Sequence, residues 1–416
     1  MDGYPAAPEI WGGIECTVNR VGSEYRSQFS FSGHPDRVES DLDAFEELGL
    51  AAIRYPVLWE DVHTPTGSLD FSAADRAMTH LRRSAMRPIV GLLHHGSGPP
   101  ITDLTDPQFP EKLAGFATAV ARRYPWVDAY TPVNEPLTTA RFSGLYGHWY
   151  PQAHDDRSFV AMLLAQVRGT VLAMRAIREV NPAAELIQTE DLGRAGGTQR
   201  LQGQVVFENL RRWLSFDLLC GRVVPEHPLY AYLTRRGGAD PAALAWIAEN
   251  ACPPDILGIN HYPRSNRWLD DRLPLYDRRA HGGNGRLRYA DVAACDAPGV
   301  VRPTLLSLIQ EAWHTYGIPI ALTEVHVDGD ASARVAWWRN AIEATEAALR
   351  VGADVRALTA WSLLGSFDWN TLCTSTGDRV AYEEGVFELS TGWPRETALA
   401  EVIRETSGVS LAARIA

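Results

Sequence analysis

A chain of 416 residues is long enough for two or three domains of ~100 to 200 residues each, although barrels of alternating strands and helices fill roughly 200 to over 400 residues as one domain. With 45% hydrophobic and 22% charged residues, the composition excludes disordered, collagenous and membrane-spanning classes. Thirty-nine Lys and Arg against 51 Asp and Glu leave a net charge of −12, which repels phosphate backbones and anionic lipid, so neither nucleic acid nor a membrane is an expected partner.

Read in chain order, short apolar runs bounded by turn residues predict eight strands: Ile10 to Cys16, Ala51 to Val57, Pro88 to Leu93, Val127 to Val133, Glu185 to Thr189, Asp255 to Asn260, Ile318 to Thr323 and Arg356 to Leu363. Most are apolar throughout, as strands of a parallel sheet buried on both faces are. Helical patterns lie between them. The clearest is Asp156 to Val180, where Phe159, Leu163, Val167 and Val171 recur every four residues, Met174 and Ile177 continue the stripe, Asp155 or Asp156 caps the start and Asn181-Pro182 stops it. Eight strands alternating with helices, without an internal linker, predict a single (β/α)8 TIM barrel over residues 1–416. Long connections rich in Gly, Pro and aromatic residues follow several strands: His94 to Pro107, Leu137 to His154, Gly193 to Gln204, His261 to Val300 and Trp369 to Gly385. In this fold the loops after the strands surround the active site. Within the fourth, His281-Gly282-Gly283-Asn284-Gly285 lacks the Lys-Ser/Thr ending of a phosphate loop and reads as a mobile lid. The arginines from Arg264 to Arg288 read as a solvated or substrate-facing surface.

The predicted strand ends carry Glu15 and Asn19, Arg54, His94 and His95, Asn134 and Glu135, Glu190 and Asp191, Asn260 and Tyr262, Glu324 and His326, then Trp361 and Asp368. A barrel built for stability alone would not favour polar and aromatic residues there. Glu135 follows the fourth strand and Glu324 the seventh, and those strands face one another across an eight-stranded barrel. Two converging carboxylates are what glycosidic bond cleavage needs: one protonates the leaving oxygen while the other attacks or activates water.

These residues sit in motifs that resemble glycoside hydrolase family 1, the β-glucosidase and β-galactosidase family. T-P-V-N-E-P (131 to 136) is similar to the family's T-x-N-E-P, and L-T-E (322 to 324) to its nucleophile motif. I-R-Y-P-V-L-W (53 to 59), L-G-I-N-H-Y (257 to 262) and A-W-S-L-L-G-S-F-D-W (360 to 369) match further segments, so the resemblance runs over nearly the whole chain. It implies that Glu135 is the general acid/base and Glu324 the nucleophile of a retaining β-glycosidase, with no cofactor and no metal. A positive Arg54 and a hydrogen bond from Tyr262 are expected to keep Glu324 ionised, and that charge to hold the proton on Glu135. The resemblance further implies that Asn134 grips the sugar 2-hydroxyl, that Asn19 stands where the family has a sugar-binding Gln, that His94 matches its His, and that Trp361, Asp368 and Trp369 contact the sugar. Asn260 orients its neighbours.

Four positions depart from the family pattern. His95 replaces a Trp, Asp368 stands where a Glu is usual, Val325-His326 replaces Asn-Gly, and Glu15 adds a carboxylate on the first strand, so a remodelled sugar pocket is expected and glucose specificity is in doubt. Glu15, His95, His326 and Glu190 are secondary site candidates. Other readings of the same residues are a transglycosidase that passes the sugar to an alcohol, a non-catalytic sugar-binding barrel, and a metal hydrolase using His94, His95, His326, Glu15 and Asp191. The partner expected is a small-molecule glycoside or oligosaccharide. Five scattered cysteines, Cys16, Cys220, Cys252, Cys295 and Cys373, have no C-x-x-C spacing and read as reduced thiols. Met1 to Ile10 has no basic-then-apolar leader and no run approaches ~18 apolar residues, so a cytoplasmic location is expected.

Overall fold

Apolar runs of this kind become strands that are covered on both sides, by the barrel interior within and by helices outside. In the computed structural model, which describes residues 7–377, 380–389 and 392–415, they form β1 Glu9–Gly13, β2 Ala52–Pro56, β3 Arg87–Gly91, β4 Ala129–Thr131, β5 Glu185–Asp191, β6 Ile256–His261, β7 Ile320–Val325 and β8 Val355–Ala360. All eight pair in parallel and close into one barrel, each strand beside its neighbours in sequence and β8 beside β1. Every predicted strand overlaps an observed one. β1, β3, β4 and β8 end earlier than their apolar runs do, because the chain leaves the ladder there to carry side chains over the mouth. Of the expected leaderless segment Met1 to Ile10, the first six residues lie outside those described.

The interior is layered, and the layering places the site. Trp11, Ala52, Ile89, Ala129, Ile187, Ile256, Ala321 and Ala357, one from each strand, form a closed apolar floor. Side chains return to the same face every second residue, so the next layer is Gly13, Arg54, Gly91, Thr131, Thr189, Gly258, Thr323 and Thr359: small or polar groups, with one cation. Gly258 is required there, since a Cβ would lie 2.8 Å from the Thr323 hydroxyl and 2.9 Å from the Gln188 carbonyl. At Gly13 a Cβ would lie 2.5 Å from the Trp361 ring, so this glycine makes room for the indole. Above this layer come the polar strand ends. A register shift in β7 sets Leu322 beside Ile259 and Glu324 beside Asn260, so the extra residue turns both Thr323 and Glu324 toward the lumen.

The helix expected over Asp156 to Val180 has those bounds, and the Asp155 carboxylate caps it by accepting from the amides of Arg157 and Ser158. Its length and composition would suffice to cross a bilayer, but Phe159, Leu163, Val167, Val171, Met174 and Ile177 are buried in the main core. The stripe read from sequence is therefore the face that packs on the barrel.

The His281 to Gly285 segment, expected as a mobile lid, lines the cavity at the barrel mouth and is tied into a sheet. His281–Gly283 pairs with Arg288–Ala293, which pairs with Arg267–Asp270, which pairs with Ala195–Gly197, making a four-stranded sheet beside the mouth. Asn284 closes the hairpin by accepting from the amides of Arg286 and Leu287 and donating to Gln204. Arginines of this stretch pair with local acids, Arg264 with Asp296, Arg267 with Asp291, Arg272 with Asp270 and Arg279 with Asp277.

Candidate active site

The polar strand ends open into a cavity of about 2220 Å³. Near the barrel axis it is lined by Glu15, His95, Glu135, Tyr262, Glu324, Trp361 and Trp369. Glu135 and Glu324 thus share one chamber, 4% and 3% exposed, and their surroundings differ in sign.

Glu324 is surrounded by donors. Its Oε1 accepts from Arg54 Nη1 at 2.9 Å and its Oε2 accepts from the Tyr262 hydroxyl. Arg54 is itself fixed, donating to the Thr323 carbonyl at 2.7 Å and to Asn134 Oδ1 at 2.7 Å, with its guanidinium 4.6 Å from the Trp361 ring centre. The Glu324 carboxyl is raised to about 7, chiefly by burial, with Glu15 adding to the rise and Arg54 and Tyr262 opposing it. Arg54 and Tyr262 favour the ionised form, as expected of them, and desolvation opposes it. Removing the hydroxyl tests the balance. In Tyr262→Phe the ionised form of Glu324 loses a hydrogen bond, its pKa rises, and the acidic limb of kcat/KM moves up by about one pH unit; an unmoved limb would mean that this contact does not stabilise the carboxylate.

Glu135 has no cation beside it. Its Oε1 accepts from Asn260 Nδ2 at 2.6 Å, and Asn260 is steered by Thr323, whose hydroxyl donates to Asn260 Oδ1 at 2.6 Å. Burial, then the negative charges of Glu324, Asp191 and Glu190, hold the Glu135 carboxyl well above the usual range. Two neighbouring carboxyls are thus pushed apart, Glu324 ionising first and Glu135 keeping its proton. The backbone of Glu135 is left-handed at φ 46°, which costs about 1 to 2 kcal/mol for a residue with a Cβ. The helix Pro136–Ala140 starts directly after it.

Glu190 explains how that turn is held. It does not reach the cavity, as a site candidate would; it accepts from the Leu137 amide at 2.9 Å, the Thr138 amide at 3.1 Å and the Thr138 hydroxyl at 2.9 Å. Those amides are free donors at the start of the Pro136–Ala140 helix, and Pro136 has none to offer. Glu190 therefore caps the helix from β5, which leaves the Glu135 carboxylate free for the cavity. Glu190→Ala strands three buried donors and is expected to cost about 2 to 4 kcal/mol in urea unfolding; a loss under about 0.5 kcal/mol would refute the capping role.

Asn134 joins the two halves. Its Oδ1 accepts from Arg54 and, at 2.7 Å, from Thr189, while its Nδ2 lies 3.2 Å from His94 Nε2 and 3.4 Å from His95 Nε2. His94 stacks on Trp361, ring centres 5.6 Å apart and 5° from parallel. Burial, His95 and Arg54 push its pKa well below the usual value, and burial and Arg54 bring His95 down to about 3, so both rings are neutral. Glu15 accepts from the Thr17 amide and hydroxyl at 2.9 and 2.7 Å and from Trp361 Nε1 at 3.3 Å; burial raises its pKa.

Other residues fall elsewhere than the sequence suggested. Asn19 does not line the cavity: its amide donates to the Cys373 carbonyl at 2.9 Å, and Glu15 takes the first-strand place at the mouth. Asp368 also turns away, with φ 60° and a carboxylate bonded to Thr371 Oγ1 at 2.6 Å and to the Ser375 amide at 2.8 Å, so it braces its own loop. Asp191 accepts from Ser265 Oγ at 2.5 Å. His326 does line the cavity, with Nε2 3.6 Å from Glu383. Glu383, Ser366 and Trp149, all in the cavity wall, went unnoticed in the sequence. Glu383 sits in a two-residue strand, Tyr382–Glu383, paired with Ser366–Phe367, too short to leave a periodic signal. Among the described residues, no three His, Cys, Asp or Glu side chains gather as metal ligands would.

The closed barrel is a fold shared with solved structures of family 1 glycoside hydrolases. A family 1 β-glucosidase from Thermotoga maritima superposes with a TM-score of 0.76 at 14% identity, covering 99% of both chains. An enzyme from Alicyclobacillus herbarius does so at 0.77 and 17% identity over 98% of this chain and 100% of its own. No family model matches the chain. Among curated proteins it is similar to a β-glucosidase of Agrobacterium sp. (strain ATCC 21400), 22% identical over 386 residues that cover 87% of this chain and 82% of the relative. A bifunctional β-D-glucosidase/β-D-fucosidase of Bifidobacterium breve is 25% identical over 421 residues, covering 87% and 85%. The chain is thus a divergent relative of β-glucosidases in sequence and shares their fold.

Proposed function

We propose that this chain, read as one catalytic barrel over residues 1–416, is a glycoside hydrolase that cleaves a β-linked glycoside with retention, through a covalent glycosyl-enzyme ester. One observation carries the reading: two buried carboxyls from β4 and β7 line one cavity, one bonded to a guanidinium and a phenol, the other with no cation at all. Glu324, the stronger acid of the two, attacks the anomeric carbon while Glu135 gives its proton to the departing oxygen. Esterification removes the charge of Glu324, the pKa of Glu135 falls, and Glu135 takes a proton from the water that releases the sugar. Asn134 lies beside this pair, its amide engaged by Arg54, Thr189, His94 and His95, and Trp361 and Trp369 line the cavity that would take the sugar ring. Glu15, His95, His326 and Glu383 stand where the family pattern differs, which supports a glycon other than plain glucose.

The partner class is a small glycoside, in keeping with the β-glucosidase relatives. Five free cysteines support a reducing, cytoplasmic location, which fractionation of the native host would test. Activity is tested with a panel of aryl β- and α-glycosides. Turnover of at least one β-glycoside with none of its α-anomer is expected; binding without release of the aryl group from any member would favour a sugar-binding barrel.

A further inference from the structure

Glu135 hands its proton to the leaving oxygen, so the aglycone lies on the side of the cavity that Glu135 serves. The wall there grows out of Glu135 itself. The helix Pro136–Ala140 runs on as a turn of π-helix, Arg141–Leu145, and Thr138, Arg141, Phe142 and Leu145 line the cavity, spaced three and four apart as residues of one helix face are. The Phe142 ring centre is 4.8 Å from that of Trp149 and 6.1 Å from that of Tyr146, and Trp149 is 6.3 Å from Trp369, so flat rings continue outward from the catalytic pair. At about 2220 Å³ the cavity exceeds the ~300 to 1,000 Å³ usual for small ligands, which leaves room for an aglycone larger than the sugar.

Arg141 is the exception in this wall. Nine arginines line the cavity, and seven of them pair with a carboxylate. Arg286 is exposed at the hairpin tip, where water serves it. Arg141 is half-buried and pairs with no carboxylate among the described residues: its Nη2 donates only to Thr138 Oγ1, at 3.4 Å, its Nε is buried without a partner, and its Nη1 bonds to no described residue. The acid that feels its charge is Glu190, but the Glu190 oxygens are already taken by Leu137 and Thr138. Asp191, also in the wall, is bonded to Ser265. A guanidinium carries five N–H donors in a fixed fork, and holding it away from water without an acceptor is costly; an oxyanion satisfies two of those donors at once. We propose that Arg141 is a binding residue of the aglycone site, and that the glycoside this protein cleaves carries an acidic group, a carboxylate or a phosphate, on an aromatic aglycone that lies along Phe142 with its anion on Arg141.

This inference rests on the reading of the chain as a glycosidase, and one experiment separates the two. The probes are meta-carboxyphenyl, meta-phosphonophenyl and neutral meta-carbamoylphenyl β-glycosides on each sugar of the aryl panel. They are compared on wild type, Arg141→Gln and Arg141→Lys, for kcat/KM and, by calorimetry in the Glu324→Ala background, for binding. Absence of turnover from every wild-type assay rejects the glycosidase reading and leaves the binding measurements to decide on Arg141. Setting a variant's loss on an anionic probe against its loss on the carbamoyl probe cancels differences in leaving-group strength. Arg141→Gln is expected to lose about 10- to 100-fold more on the anionic probe than on the neutral one, as the loss of a hydrogen bond to a charged group does. The anion with the larger loss identifies the group that is recognised. Arg141→Lys keeps the charge without the fork and is expected to lose about threefold more on the anionic probe, so it gives the answer if the glutamine variant fails to fold. Equal losses on anionic and neutral probes, in turnover and in binding, would make Arg141 a structural counter-charge for Glu190 and overturn the proposal.

Discussion

Glu324→Ala is expected to lose turnover on aryl β-glycosides by a factor on the order of 10⁴ or more, and added azide or formate to restore much of it with an α-configured product. The reasoning is geometric. Removing the side chain leaves a gap below the anomeric carbon, between Arg54 Nη1 and the Tyr262 hydroxyl, both of which lose the carboxylate as an acceptor. A small anion fits both donors, and it attacks from the side that the carboxylate used. Since nothing hydrolyses its adduct from the opposite face, the product is inverted. Loss without rescue would point to Glu324 as a structural residue of the Arg54 cluster; retained activity would remove it from the reaction.

Glu135→Ala is expected to slow substrates according to their leaving group. Proton donation by a placed acid contributes about 10² to 10⁴ in rate, and alkyl or phenyl aglycones need all of it. A dinitrophenolate leaves unaided, so its glycosylation step should fall far less, with slow release of the enzyme-bound sugar visible as a burst. Small nucleophiles should speed that release, since no negative carboxylate remains to repel them. Equal losses across the series would reject Glu135 as the acid. The same pair sets the pH profile. Glu324 must be ionised and Glu135 protonated, so kcat/KM falls below the Glu324 pKa, which burial raises toward about 7, and falls again above that of Glu135, which lies higher.

How much of this was legible in the sequence depends on whether local pattern or distant contact decides a residue's place. The eight strands and the Asp156–Val180 helix follow from hydrophobic period and capping residues, which are local. Alternation then fixes which residues reach the lumen, and it carries Arg54, Glu135, Asn260 and Glu324 to one mouth. Asn19 and Asp368 were misplaced for a different reason. Each looks available from its motif, yet Asn19 is tied to a carbonyl 354 positions away, and the Asp368 carboxylate is taken up by a turn whose positive φ the sequence does not announce. Glu190 reads as one more strand-end acid, and only the position of the Leu137 and Thr138 amides reveals it as a helix cap. Glu383 enters from a strand of two residues, below the length at which any period can be read.

The His281–Gly285 hairpin teaches the same lesson. The missing Lys-Ser/Thr ending spoke only against a phosphate loop, and pairing with Arg288–Ala293 makes the segment a sheet edge. Loop composition reports what a backbone can do, and the partner strand decides what it does.

The stereochemistry of the first product tests the central claim most directly. A ¹H NMR time course on the best aryl β-glycoside should show the β-anomer of the free sugar at the earliest points, with the α-anomer growing in only at the rate of mutarotation. The α-anomer appearing first would mean a single displacement by water, and Glu324 could not then be the group that bonds to the sugar.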